Sequence, residues 1–401
     1  MKRPFRPTRK IGLLCCAAAA LYLSACDAEN ENDTSDTAEP SADTDKGDTG
    51  FVSDDGIVFP GDVWPEDDPE SHGFDGDALD DAAAFSEEQD THCLMVVHDG
   101  YVIGEWYFDD WDVSTQQNVF SVTKSFTSAA VGIAQDEGLL SVDDSAADYI
   151  TEWQGTESET VTVAHLLSNT SGREWAFLAD YLTLGLQTDK TAYAVGLDQE
   201  FTPGEVWEYN NTAVQTLDRV LMEASGERLA DFATTRLLEP LGMSAFFGTD
   251  DAGNTVTFSD VQSSCSDLAR FGYLVLQKGL WGDTRILSEA YLDAATSPSS
   301  TLNAAYGYLF WLNRDGYWIK PSTSDTDKPE GDGRIYPTLP DDLISAEGMQ
   351  DQLIVVLPSE NLVMTRIGGE NDPLTAVLNG NLGDDAFVES LIGKILDAKT
   401  N

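Results

Sequence analysis

The sequence predicts an α/β fold of the α+β type: an antiparallel β-sheet flanked by helices from both chain ends, with a large helical lobe inserted over about residues 112–295. Three observations lead there. Two apolar segments, residues 93–98 and 101–108, are joined by Asp99-Gly100, a two-residue hairpin signal. Strand-like runs then return only near the far end, at residues 306–312, 317–319, 344–346, 352–356 and 362–366, separated by turns short enough for antiparallel pairing. The stretch between is dominated by helix-period patterning, so the sheet must be assembled from both ends of the chain and a cleft should form where the lobe meets it.

In chain order, residues 1–25 read as a lipoprotein signal peptide. A basic head (Lys2, Arg3, Arg6, Arg9, Lys10) precedes an apolar run over residues 11–23 that is too short to span a bilayer stably. Leu23-Ser24-Ala25-Cys26 resembles a bacterial lipobox, whose cysteine is acylated and becomes the mature N-terminus; the alternative is an ordinary cleavable signal that happens to contain Cys26. An extracytoplasmic, membrane-anchored protein is therefore expected. Residues 26–57 are rich in Asp, Glu, Asn, Thr, Ser and Gly and carry too few large apolar side chains to fold, as suits a tether. Residues 58–401 contain no second low-complexity break and are expected to form one catalytic unit.

Of the five cysteines, export would leave Cys26, Cys93 and Cys265. Cys93 and Cys265 can be read equally as a disulfide or as two buried thiols. The 71 acidic residues against 22 basic ones give a formal charge of -49, which argues against nucleic acid or an anionic membrane surface as a partner. Dispersed carboxylates of this number suit a protein that must stay soluble in high salt.

Past the tether, residues 77–85 predict a short helix ahead of the hairpin. Phe120-Ser121-Val122-Thr123-Lys124-Ser125-Phe126 then opens a helix-period run that stops at Gly138. Residues i and i+3 share a helix face, so the Ser121 hydroxyl and the Lys124 amine can meet, a nucleophile beside a base. Lys124 alone among the ten lysines has a serine three residues before it, yet one such match is expected by chance in a chain of this composition. The acidic field raises a lysine's pKa, so a base at this position requires burial or a nearby cation. His165, in Thr162-Val163-Ala164-His165-Leu166-Leu167, follows a capping threonine and reads as structural. Pro203-Gly204 delivers Tyr209-Asn210-Asn211 ahead of another helix; Tyr-x-Asn could supply a second proton carrier and an amide, or simply a buried aromatic and an N-cap. Phe387, Val388, Leu391, Ile392 and Ile395 mark one face of a closing helix.

Taken jointly, SVTKSF (121–126), HLLSNTSG (165–172), PGEVWEYNN (203–211), EPLGM (239–243), SDLARFG (266–272), YGYLFW (306–311) and AEGMQDQ (346–352) resemble the serine β-lactamase and penicillin-binding-protein-like hydrolases, especially the class C and 6-aminohexanoate-dimer hydrolase/esterase branch. The resemblance implies a β-lactamase/transpeptidase-like fold without a metal or organic cofactor. It implies Ser121 as the acylated nucleophile, Lys124 as the base of S-x-x-K, Tyr209 as a proton shuttle and Asn211 as the amide of Y-x-N. Gly348 marks the cleft strand, and the Met349 amide with that of Ser121 is the implied oxyanion hole. Relatives carry K-T-G where this chain has Ala346-Glu347-Gly348, so a cation for a substrate carboxylate is missing there, and Arg366 is the candidate to restore one. A serine hydrolase acting on small esters or short amides through an acyl-enzyme is thus expected. The alternatives are a β-lactamase or D-Ala-D-Ala carboxypeptidase, and a lipoprotein of the same fold that binds a ligand without turnover.

Overall fold

The computed structural model describes residues 50–400 apart from 55, 323, 327, 370–376 and 378–381; residues 1–25, expected to be a signal peptide, and most of the expected tether lie outside the described residues. Six antiparallel strands form the central sheet: β1 (Thr91–His98), β2 (Tyr101–Tyr107), β3 (Trp311–Leu312), β4 (Ile344–Gly348), β5 (Gln352–Leu357) and β6 (Leu362–Gly368), in the order β3-β4-β5-β6-β1-β2. The pairs β1–β2, β4–β5 and β5–β6 are joined by short turns; the chain between β3 and β4 makes a long excursion over residues 313–343, and the pairing of β6 with β1 brings the two ends of the chain together in the middle of the sheet. The β1–β2 turn takes positive φ at both Asp99 (53°) and Gly100 (85°), the type I′ geometry that matches strand twist.

Helix α1 (Gly76–Glu87) packs on α5 (Asp385–Asp397) and on β1, and α5 buries Phe387, Val388, Leu391, Ile392 and Ile395 as its periodicity requires. The other face of the sheet is covered by α4 (Cys265–Leu276) from the helical lobe. The alternation of β6 separates the two layers: Thr365 donates to the Cys265 carbonyl at 3.1 Å, while the Arg366 guanidinium lies 5.0 Å from the Phe387 ring centre on α5. Gly272 permits the close approach of α4, since a Cβ there would fall 2.7 Å from Val363 and 2.8 Å from Ile354. Cys93 of β1 and Cys265 of α4 are joined by a disulfide, which resolves the two readings open in the sequence.

Two expected strands differ. Residues 306–312 contribute only Trp311–Leu312 to the sheet, because Leu309 adopts φ 61° and the chain turns back so that the Gly307 amide donates to the Phe310 carbonyl at 2.9 Å, breaking the ladder. The segment around Tyr317 pairs outside the sheet, as a two-stranded ribbon of Gly316–Ile319 with Glu330–Gly333. Among the described residues no helix is long and apolar enough to cross a membrane.

Candidate active site

The nucleophile segment is anchored before its helix begins. Gln117–Asn118 pairs with Val261–Ser263, Asn118 Oδ1 accepts from the Phe120 amide at 2.8 Å, and Phe120 is driven to φ 47°, a costly conformation for a bulky residue. One 3-10 turn, Phe120–Val122, then leads into α2 (Thr123–Asp136). The i, i+3 spacing does what it implied: Lys124 Nζ lies 2.9 Å from Ser121 Oγ. The same amine donates to the Phe258 carbonyl at 2.7 Å and sits 4.7 Å from the centre of the Tyr209 ring. Lys124 is 1% exposed, and burial lowers its pKa to about 7 against the opposing pull of Asp180. Burial, rather than a neighbouring cation, therefore offsets the acidic field.

The opposite wall comes from the turn at Gly204 (φ 82°) and the start of α3 (Asn211–Ser225). Asn210 is the N-cap, its Oδ1 accepting from the Ala213 amide at 2.7 Å. Tyr209 packs parallel to Trp311 (ring centres 6.0 Å apart) and edge-on to Tyr306, and its hydroxyl is electrostatically coupled to that of Ser121 across the cleft they both line. Burial raises the Tyr209 pKa well above that of free tyrosine, only partly offset by the Ser121 hydroxyl, so the phenol keeps its proton at neutral pH. The two groups around Ser121 thus differ in kind: an amine that can be empty of its extra proton and a phenol that cannot readily lose one.

Asn211 is buried and held by Asp180 rather than lining the cleft surface. Its Nδ2 donates to Asp180 Oδ2 at 2.8 Å, and the same carboxylate accepts from the amides of Asn211 (3.1 Å) and Thr212 (2.9 Å). Asp180 is buried, which pushes its carboxyl up to about 6. A single wide helical turn, Ala179–Thr183, sets Asp180 inward and its neighbour Tyr181 on the cleft surface. Nothing in the local pattern singled out either residue.

The third wall is β4. A Cβ at Gly348 would stand 2.3 Å from the Val119 carbonyl, so only glycine lets this strand close on the nucleophile segment. Ser121, Tyr209, Gly348 and Met349 line one cleft of about 460 Å³. The chain leaves β4 through Met349 into a tight turn with positive φ at Gln350 and Asp351. Arg366 is what holds that turn: its guanidinium donates to the carbonyls of Gln350 (2.9 Å) and Asp351 (2.7 Å), to Gln89 O (2.6 Å) and to Thr91 Oγ1 (2.7 Å). Fully buried and committed to these acceptors, it is not the cleft cation for which it was a candidate.

That cation is Lys320, at the end of the ribbon, which sequence reasoning missed because no spacing ties it to the site. Burial opposes its charge, but Glu347 at 2.7 Å and Asp385 at 2.9 Å hold its pKa above that of free lysine. Glu347 also accepts from Tyr336 Oη and Ser345 Oγ. Lys328, the other lysine lining the cleft among the described residues, is paired with Glu208. His165 is outside this constellation; its Nδ1 accepts from the Thr162 amide at 3.1 Å, completing a capping box.

The Beta-lactamase family model matches residues 72–373. An uncharacterized protein of Alkalihalophilus pseudofirmus is 23% identical over 309 residues, 68% of this chain and 82% of that one. Penicillin-binding protein 4* of Bacillus subtilis is 31% identical over 130 residues, 31% of this chain but 28% of that protein. The crystal structure of a family VIII carboxylesterase superposes with a TM-score of 0.59 at 18% identity, covering 80% of this chain and 97% of that one. The family match runs from ahead of the first sheet strand to beyond the last, through the nucleophile helix and the cleft strand, and the chain therefore belongs to the beta-lactamase family of serine hydrolases.

Proposed function

We propose that the protein hydrolyses small esters or short amides through a covalent acyl-enzyme on Ser121. The observation that carries this is the contact of Ser121 Oγ with the buried Lys124 amine at 2.9 Å, in a cleft that also holds the protonated phenol of Tyr209. In its neutral form Lys124 spends one N–H on the Phe258 carbonyl, which leaves its lone pair free to face the Ser121 hydroxyl. Ser121 Oγ attacks the substrate carbonyl carbon as its proton passes to Lys124 Nζ. The charge that forms on the carbonyl oxygen is held by the backbone amides of Ser121 and Met349. Collapse breaks the bond to the leaving alkoxide or amine, which takes a proton from Tyr209, and Lys124 restores that proton. Water then attacks the acyl-enzyme by the reverse proton route and releases the acid.

The substrate preference follows from charge. β-Lactams and D-Ala-D-Ala peptides carry a carboxylate, and here the strand beside the nucleophile presents Glu347 while both cleft lysines are ion-paired. Neutral esters and amides do not meet that obstacle. A location outside the cytoplasm, anchored through Cys26, is part of the same reading; the Cys93–Cys265 disulfide supports it, since such bonds persist in oxidising compartments.

The test is labelling with a fluorophosphonate probe followed by an ester, amide and β-lactam panel. Wild type should label and Ser121→Ala should not, with turnover of neutral esters exceeding that of penicillins. Equal labelling of the two proteins rules out Ser121 as nucleophile; a single stoichiometric burst with every ester and amide would favour a ligand-binding role over turnover.

A further inference from the structure

Two of the four histidines meet far from this chemistry in the fold, and neither lines the cleft. His98 ends β1, Asp99 follows it in the hairpin turn, and His72 closes a short 3-10 turn, Pro69–His72, that packs against β2. His72 Nδ1 lies 3.2 Å from His98 Nδ1, and Asp99 Oδ2 lies 3.3 Å from the same His98 nitrogen. One ligand atom from each of the three residues falls within 4.8 Å of the others. Ligands held 2.0–2.1 Å from a tetrahedral zinc ion stand roughly 3.3 Å apart, so two edges of this triangle already have the length that such an ion imposes.

The surroundings are those of a ligand set. His72 Nε2 donates to Asp67 Oδ2 at 3.3 Å, which puts the ring proton on Nε2 and leaves the Nδ1 lone pair facing His98. A carboxylate behind a histidine in this way is the arrangement that orients metal-bound imidazoles. Asn361 Nδ2 occupies the other Asp99 oxygen, Oδ1, so Oδ2 is the one turned to the histidines. Phe74 packs against the edge of His98 and Tyr101 against His72, fixing both rings, which stand at 88° to each other. Lys399, whose charge acts on His98, is paired with Glu360. A cavity of about 660 Å³, bordered by Asp67, Ser71, His72 and Asp99, reaches the cluster and gives an ion a way in and a water molecule the fourth position.

We propose that His72, His98 and Asp99 bind one divalent transition-metal ion of the zinc class, with Asp67 orienting His72. The ion ties the segment ahead of α1 to the β1–β2 hairpin at the edge of the sheet and thereby stabilises the folded chain, as any ligand specific for the native state does. The same contacts could be made by a hydrogen-bonded imidazole pair with no affinity for metal, and the experiment separates the two.

The full chain, stripped with chelator and dialysed, is titrated with Co²⁺ in millimolar Mg²⁺, which occupies the many surface carboxylates. Binding is read from the visible ligand-field bands of four-coordinate cobalt, and zinc is added in competition and in thermal unfolding. One equivalent should saturate the bands, zinc should abolish them, and zinc should raise Tm. Asp99→Asn keeps the left-handed turn, since asparagine tolerates positive φ, and should weaken binding by at least about 10-fold; His72→Gln should remove the bands. Absence of a saturable one-equivalent signal in wild type, or equal affinity in wild type and both variants, overturns the proposal.

Discussion

At Ser121 the competing electrostatic effects have a decided winner. The chain's charge of -49 and the nearby Asp180 both favour protonated Lys124, yet complete burial outweighs them and brings the amine to about 7. Protonation of Lys124 removes the base, so kcat/KM for an ester should fall as pH drops through about 7 and reach a plateau above it. Because Asp180 raises the Lys124 pKa, Asp180→Asn should move that acid limb to lower pH, and a pH-rate profile of both proteins checks the direction. Tyr209→Phe keeps the ring packed on Trp311 while losing the proton donor, and kcat should drop by on the order of 10²–10⁴-fold with the fold intact by circular dichroism. Ser121, Lys124 and Tyr209 were legible because each is marked by a short local spacing. Asp180, Tyr181 and Lys320 were not, since they reach the site through tertiary packing of segments whose own patterns are unremarkable.

At the level of elements, the cleft depends on how closely β4 approaches α2. Gly348→Ala would place a methyl against the Val119 carbonyl and should push the strand outward, lowering kcat more than it raises KM, as expected when an oxyanion donor rather than substrate binding is displaced. The turn after β4 depends in the same way on Arg366. Arg366→Ala leaves the carbonyls of Gln89, Gln350 and Asp351 short of a buried donor and should lower thermal stability as well as kcat. Sequence reasoning placed Arg366 on the correct strand; what it could not supply was the reach of the side chain, which backbone carbonyls intercept before the cleft. The hairpin of β1 and β2 and the face of α5 were readable from a turn type and a period. Residues 306–312 were not, because an aromatic-rich run looks like a strand whether it continues a ladder or, as here, bends to pack Tyr306 and Trp311 around Tyr209.

For the whole molecule, the excess of carboxylates acts through repulsion that salt screens, with a Debye length of about 10 Å at 0.1 M and about 3 Å at 1 M. Melting temperature should therefore rise as NaCl increases over that range, and a scan of Tm against salt that is flat or falling would remove repulsion as a term in its stability. The sheet drawn from both chain ends and the lobe between them are stapled by Cys93–Cys265, 172 residues apart in sequence. The cleft lies where these parts meet, and its function rests on one claim, that a neutral Lys124 activates Ser121. The rate of fluorophosphonate labelling against pH, with the adduct mapped by mass spectrometry, tests that claim most directly. A single adduct on Ser121 whose rate rises with a midpoint near pH 7 is the expected result; an adduct elsewhere, or a midpoint near that of free lysine, would contradict it.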